Sequence, residues 1–251
     1  MSSPFDLTGK VALVTGGSRG LGQGIARALA QAGADIAVAG MAKPSETDAM
    51  VRGLGRRFVS IAADLGSIEP VDRIVAETLA GAGRIDILVN NAGVIRREDA
   101  VDFTEKDWDD VMDVNLKSAF FLAQAVGRVL IAQGSGKIIN IASMLSFQGG
   151  VRVASYAASK SGIAGITRLL ACEWAGKGVN VNAIAPGYMV TDNTEQLRAD
   201  PQRSRAILAR IPAGRWGESA DIGGTAVFLA SAASDYMHGA IIPVDGGWLA
   251  R

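Results

Sequence analysis

The chain has 251 residues, enough for one large α/β domain with a sizeable core. Lysine plus arginine equals aspartate plus glutamate at 25 each, so no global field draws it to nucleic acid or to an anionic membrane surface. One cysteine, Cys172, excludes an internal disulfide, and one histidine, His238, leaves too few soft ligands for a zinc site, so no metal is expected.

The first residues, Met1 to Asp6, have neither the basic nor the apolar region of a signal peptide. No apolar run approaches the roughly 18 residues of a membrane span. A soluble, cytoplasmic protein without membrane or nucleic-acid partners is therefore expected.

The first element is a short apolar strand, Val11–Val14, followed by a glycine-rich turn and a helical pattern from Leu21 to Ala32. Two chemistries fit that turn. Gly16-Gly17-Ser18-Arg19-Gly20 matches G-x-S-x-G, which presents a serine nucleophile. It would need an oxyanion hole from an earlier strand loop, for which too little chain precedes Val11, and a partner histidine for which only His238 is available. The cofactor reading needs only backbone. Glycines at 16, 20 and 22 let amide N–H groups approach a pyrophosphate, and the following helix points its positive end at the same anion.

Further strands are expected at Asp35–Ala39, Arg57–Ala62, Ile85–Val89, Lys137–Ile141, Asn180–Ile184 and Ile241–Val244. Helical stretches between them include 67–80, 105–133, 155–174 and 220–230. Strands apolar on successive residues are buried on both faces, which implies a parallel sheet covered by helices. The expectation is α/β: a single Rossmann-like, doubly wound, parallel seven-stranded sheet spanning residues 1–251. The polar stretch Tyr188 to Arg215 has no strand-like run; lying after the sixth strand and before the last helix, it is expected to be a lid over the carboxyl edge of the sheet.

Tyr156 and Lys160, four apart on the 155–174 helix, share a face kept small by Ala, Ser and Gly neighbours. An ammonium beside a phenol favours the phenolate, so Tyr156 is expected to exchange a proton with a substrate oxygen. Cys172 on the same helix is expected to pack as a small buried group.

These segments resemble the short-chain dehydrogenases/reductases over essentially the whole chain. The matching motifs are Thr15 to Gly22, Asn90-Asn91-Ala92-Gly93, Asn115, Ser143, Tyr156-x-x-x-Lys160 and Pro186-Gly187. The resemblance implies hydride transfer at a carbinol or ketone carbon, with Asn115, Ser143, Tyr156 and Lys160 catalytic. Tyr156 would be the acid or base, Ser143 a donor to the substrate carbonyl, Lys160 a hydrogen bond to the nicotinamide ribose, and Asn115 a proton-relay member. It implies a dinucleotide site formed by Gly16, Ser18, Arg19, Gly20, Leu21, Gly22, Asp64, Leu65, Asn91, Ala92, Gly93, Tyr156, Lys160, Pro186, Gly187, Met189 and Thr191. From the residues alone, Asp64 reads equally as an acid at a helix start.

The end of the second strand, Ala39-Gly40-Met41-Ala42-Lys43, lacks the acid that usually holds an NAD ribose, while Arg19 and Lys43 could accept a 2′-phosphate. A narrower resemblance points to NAD(H), with NADP possible. Gly93 to Asp99, Ser143 to Gly150, Ala185 to Met189, Leu197 to Asp200 and Asp245 to Arg251 resemble family members that act on deoxy sugar acids in uronate catabolism. A sugar-acid carboxylate then needs a cation, for which Arg96, Arg97, Arg152 and Arg203 are candidates beside Ser143 and Tyr156. Alternatives are family members acting on gluconate, deoxy-hexoseulose uronate or 3-oxoacyl carrier protein and, more remotely, a dinucleotide-binding regulator without turnover. A homotetramer is expected: the 105–133 and 155–174 helices are apolar on more than one face, and Trp248-Leu249-Ala250 is apolar for a free end.

Overall fold

Successive residues of the first strand go to opposite sides of the sheet: Ala12 and Val14 join one apolar cluster, Leu13 the other. The computed structural model, which describes residues 3–251, repeats this arrangement across seven parallel strands. They are β1 Val11–Thr15, β2 Asp35–Gly40, β3 Phe58–Ala62, β4 Ile87–Asn90, β5 Gly136–Ile141, β6 Val179–Pro186 and β7 Ile241–Val244. Their order is β3-β2-β1-β4-β5-β6-β7. Val14 of β1 pairs with Val38 on one side and Val89 on the other. The order reverses between β1 and β4, and the crevice at the carboxyl ends of these strands is where such sheets bind ligands.

One face is covered by α1 Gly20–Gln31, α2 Ser45–Gly53 and α9 Ser219–Ala230; Ile25 and Leu29 meet Ile222, Ala226 and Leu229 there. The other is covered by α3 Val71–Ala82, α5 Ser118–Gln133 and α6 Ala154–Trp174, with Ile74, Leu122, Val126, Leu170 and Trp174 over Leu13, Leu88 and Val181.

Three expectations are corrected, for the 105–133 helix, for Cys172 and for the tail. The 105–133 stretch is not one regular helix: α4 Glu105–Met112 is joined to α5 by a π turn, Asp113–Lys117. By length and composition it could cross a membrane, but Leu122, Val126 and Leu130 are wholly covered, so it is a core helix. The insert between β6 and α9 contains α7 Glu195–Ala199 and α8 Pro201–Leu208, and a bridge between Met189 and Gly217 closes its base. Cys172 is exposed, on the outer side of α6. Trp248 turns inward, only 3% exposed, into an apolar cluster with Met144, Ile207 and Ile211.

Candidate active site

β1 ends at Thr15, and the chain turns through Gly16, whose φ of +64° suits glycine, into α1. Arg19, the residue before α1, caps it with no side-chain bond, and the first turn holds no acid, so its N–H groups stay open to an anion. A methyl group at Gly22 would overlap the Gly16 carbonyl and the Asn91 amide. That approach is tight because the Asn91 amide donates to the carbonyls of Thr15 (2.9 Å) and Gly16 (3.1 Å). Thr15 Oγ1 in turn accepts the N–H groups of Asn91 and Ala92, each at 3.0 Å. The second glycine-containing motif thus clamps the first. A loop of backbone donors at an uncapped helix start fits a dinucleotide pyrophosphate.

The remaining cofactor candidates lie along the same rim. Leu21 packs against the core, the Ser18 carbonyl accepts from Gln23 (3.3 Å), and the insert brings Thr191 within 3.8 Å of where a Gly20 Cβ would sit. Arg19 is ion-paired with Asp192 of the insert at 3.0 Å. Asp64 is not a helix-start acid, since α3 begins at Val71; its carboxylate accepts the Gly66 N–H at 2.8 Å and closes a turn. Leu65 is buried and its carbonyl accepts from Ser118 Oγ (2.7 Å). Gly93 lies against Asn115, Pro186 ends β6, Gly187 donates to the Val244 carbonyl (2.9 Å), and Met189 is buried. The nucleophile reading of Ser18 has no partner: His238 lies beside Asn180 at the opposite end of the sheet, on the amino side of β6.

Ser143 lies two residues beyond the end of β5 and is 8% exposed; Tyr156 and Lys160 face it from α6. Burial pushes the Tyr156 phenol up, while a hydrogen bond from Ser143 and the nearby charge of Arg97 pull it back. Lys160 was expected to lower that phenol. Instead its ammonium donates to the Ile141 carbonyl at 2.6 Å and stands 5.6 Å from the centre of the Tyr156 ring. Its own burial lowers it to about 8.

Asn115 sits in the π turn with its amide wholly engaged. Oδ1 accepts the Val94 N–H at 2.8 Å, and Nδ2 donates to the Val94 carbonyl (2.9 Å) and Ser159 Oγ (3.3 Å). It ties the β4 loop to α6 one turn from Tyr156.

The four arginines separate. Arg96 bonds Asp110 (3.1 Å) and lies 3.5 Å from Asp107; Arg152 pairs with Glu98 (3.1 Å) and Asp99 (3.0 Å). Both are occupied by surface acids. Arg97 and Arg203 meet no carboxylate among the described residues. Arg97 is half-buried within electrostatic range of Tyr156, Tyr188 and Arg203, and donates to the Asn193 carbonyl at 2.8 Å.

Residues to which the sequence assigned no role in the site support it from below. Thr15 is one; Ser146, donating to the Lys160 carbonyl at 2.6 Å, is another. A third is a buried chain in which Asn90 donates to Asn140 (3.0 Å) and Asn140 to Thr167 (2.9 Å). Asparagines inside the apolar strands Ile-Leu-Val-Asn and Ile-Ile-Asn-Ile were the available signal, because a buried amide must have partners.

A family profile described as enoyl-(acyl carrier protein) reductase matches residues 16–249. The chain is 63% identical over 250 residues to 2-dehydro-3-deoxy-D-gluconate 5-dehydrogenase of Escherichia coli K12, covering 99% of each. It is 62% identical to the enzyme of that name from Dickeya dadantii, covering 98% of each. A solved structure described as a candidate 2-deoxy-D-gluconate 3-dehydrogenase from Agrobacterium tumefaciens, with bound NADP, superposes with a TM-score of 0.94 at 58% identity, covering 100% of both chains. With that profile spanning residues 16–249 and relatives of this identity covering the whole chain, the chain belongs to the short-chain dehydrogenase/reductase family of NAD(P)-dependent oxidoreductases.

Proposed function

We propose that the protein interconverts a hydroxyl and a ketone on a deoxy sugar acid, of the 2-dehydro-3-deoxy-D-gluconate or 2-deoxy-D-gluconate type. The observation that carries this reading is Arg97, a half-buried cation on the loop that Asn115 ties to the Tyr156 helix, which meets no carboxylate among the described residues. Such a charge is stabilised by an anionic substrate. The names borne by the Escherichia coli and Dickeya dadantii relatives agree.

In this reading Tyr156 Oη gives a proton to the ketone oxygen in reduction and takes one from the hydroxyl in oxidation. Ser143 Oγ holds the same oxygen, and Lys160 and Asn91 fix the cofactor end of the site. Bound nicotinamide supplies or accepts the hydride at the carbon bearing that oxygen.

We assign NAD(H) as the preferred cofactor, with NADP(H) accepted. Arg19 is offset by Asp192, which weakens its attraction for a 2′-phosphate, yet no acid ends β2 to repel one. The NADP in the Agrobacterium protein fits the second half of that statement.

The test is steady-state kinetics on 2-dehydro-3-deoxy-D-gluconate, 2-deoxy-D-gluconate and gluconate with each cofactor, with Tyr156→Phe as control. Highest kcat/KM is expected on a deoxy acid with NAD(H), and turnover should be nearly abolished in the control. Preference for a neutral alcohol would reject the substrate class. A tenfold advantage for NADP(H), about 1.4 kcal/mol, would reverse the cofactor assignment.

A further inference from the structure

Beyond β5 the chain makes a single 3-10 turn, Met144–Ser146, which Ser143 begins. Two serines close it on itself: the Leu145 N–H donates to Ser143 Oγ at 3.2 Å, and the Ser143 N–H donates to Ser146 Oγ at 3.4 Å. A hydroxyl has one proton to give. Ser146 gives its proton to the Lys160 carbonyl at 2.6 Å, which fastens the turn to α6 one helical turn beyond Tyr156. Two more bonds join the same stretches, Lys160 Nζ to the Ile141 carbonyl at 2.6 Å and Ser161 Oγ to the Leu145 carbonyl at 3.3 Å.

Resting on the reading of Tyr156 as the group that moves the proton, we infer that Ser146 is a positioning residue. By anchoring the 143–146 turn to the backbone of α6, it sets the Ser143 hydroxyl on the helix that carries the phenol.

The three ties fix different things. Lys160 Nζ reaches Ile141, ahead of Ser143, and by itself leaves the turn free to pivot about the strand end. The Ser161 bond is longer and made by an exposed side chain. Past the turn, Phe147, Gly149 and Gly150 are exposed and offer little to hold it from the far side. The short Ser146 bond supplies that hold. Ser143 is thus bracketed by one helical residue, the Lys160 ammonium before it and the Lys160 carbonyl after it. A carbonyl has two lone pairs, so the second donor need not displace the helical bond at Lys160. Because Ser143 Oγ already accepts from Leu145, its own proton is left to be aimed at Tyr156, and hydrogen bonds of this kind weaken steeply with misalignment. The Ser143 bond favours the phenolate against burial. The charged groups around the phenol are Lys160, 5.6 Å from the ring centre, and Arg97, which donates to the Asn193 carbonyl; the side chains of both are bonded elsewhere than to Ser146.

The experiment follows kcat/KM against pH for oxidation of the best substrate of the panel above with its preferred cofactor. It compares wild type, Ser146→Ala, Ser146→Thr, Ser143→Ala and the double alanine variant, with NADH affinity measured by fluorescence and Tyr156→Phe as control. Ser146→Ala should lose about 5- to 20-fold in kcat/KM, the range for one hydrogen bond. Oxidation needs the phenolate, and a phenolate that loses the Ser143 bond forms at higher pH, so the acid limb of the profile should move upward by roughly 0.5 to 1 in pH. NADH affinity should stay at the wild-type value, because Lys160 keeps its bond to Ile141. Ser146→Thr retains the hydroxyl and should restore most of the rate and the wild-type limb. Since Ser146 acts through Ser143, the double variant should lose little more than Ser143→Ala alone. Should Ser146→Ala not fold, Ser146→Cys, of similar size with a weak donor, is expected to show the same displaced limb. Tyr156→Phe with near wild-type turnover would show the proton reading itself to be wrong. If that control is inactive but Ser146→Ala has the wild-type rate, loses rate with an unmoved limb, or multiplies with Ser143→Ala, the positioning role is wrong and the proton reading stands.

Discussion

Lys160 is a charge held almost entirely away from water, 5% exposed, with one carbonyl for a partner. Its pKa of about 8 lies below the ordinary 10.5. Below pH 8 both folded and unfolded chains carry the proton, and burial of the charge is felt by the folded state in full. As pH rises through 8 the folded chain releases the proton first, and its stability should rise until the unfolded chain titrates near 10.5. The gain attributable to this side chain is up to about 3 kcal/mol. Urea midpoints at pH 7.5 and pH 10 should therefore move upward in wild type relative to Lys160→Met, and an unchanged difference between the two proteins would contradict the assignment. The pairing of Tyr156 with Lys160 was legible from a four-residue spacing. The direction of the lysine was not, because the acceptor, the Ile141 carbonyl, comes from a strand end that only the folded sheet brings near.

At the scale of elements, strands and long helices were legible because their apolar periods differ, and the burial of alternate residues in two clusters matches the parallel reading. What escaped has physical causes. α8 is polar apart from its carboxyl end and buries only Ile207, so one apolar anchor leaves no period to read. The π turn keeps helical composition on both sides and alters only the phase, by which Asn115 is turned to the β4 loop. The tail misled because apolar residues at a chain end suit an interface and a core equally. Trp248 stacks under Arg210 (3.9 Å) and beside Tyr188 (4.8 Å), and its indole donates to Gln148 (3.3 Å). It therefore joins the tail to the insert and to the loop carrying Ser143. Trp248→Ala should cost about 3–5 kcal/mol in a urea melt. It should also raise KM for the sugar acid while leaving NADH affinity unchanged, whereas Trp248→Phe should keep most of both. Equal effects on substrate and cofactor would show general loosening in place of support for the insert.

For the whole molecule, the inward turn of Trp248 removes one argument for assembly and leaves two others. β7 is an open edge of the sheet with Ile241, Ile242 and Val244 half-exposed, and Tyr236 nearby is fully exposed. An uncovered strand edge of this composition is normally capped or paired. On the opposite side of β6, α6 presents Ser161, Gly165, Leu169 and Cys172 outward, spaced four, four and three residues apart along one stripe. Leu169 is 48% exposed, and nothing stands within 4 Å of a Cβ placed at Gly165, so another helix could approach closely there. Two separate self-complementary surfaces on one chain generate a closed tetramer with two-fold axes, whereas one alone gives a dimer. Light scattering at micromolar concentration is therefore expected to give four times the chain mass. Leu169→Arg, which places like charges across the α6 axis, should reduce that to two chains without unfolding either, since its side chain packs in no core cluster of the single chain. A monomer in wild type would show that both surfaces are merely exposed, and a variant that stays tetrameric would move the interface away from α6.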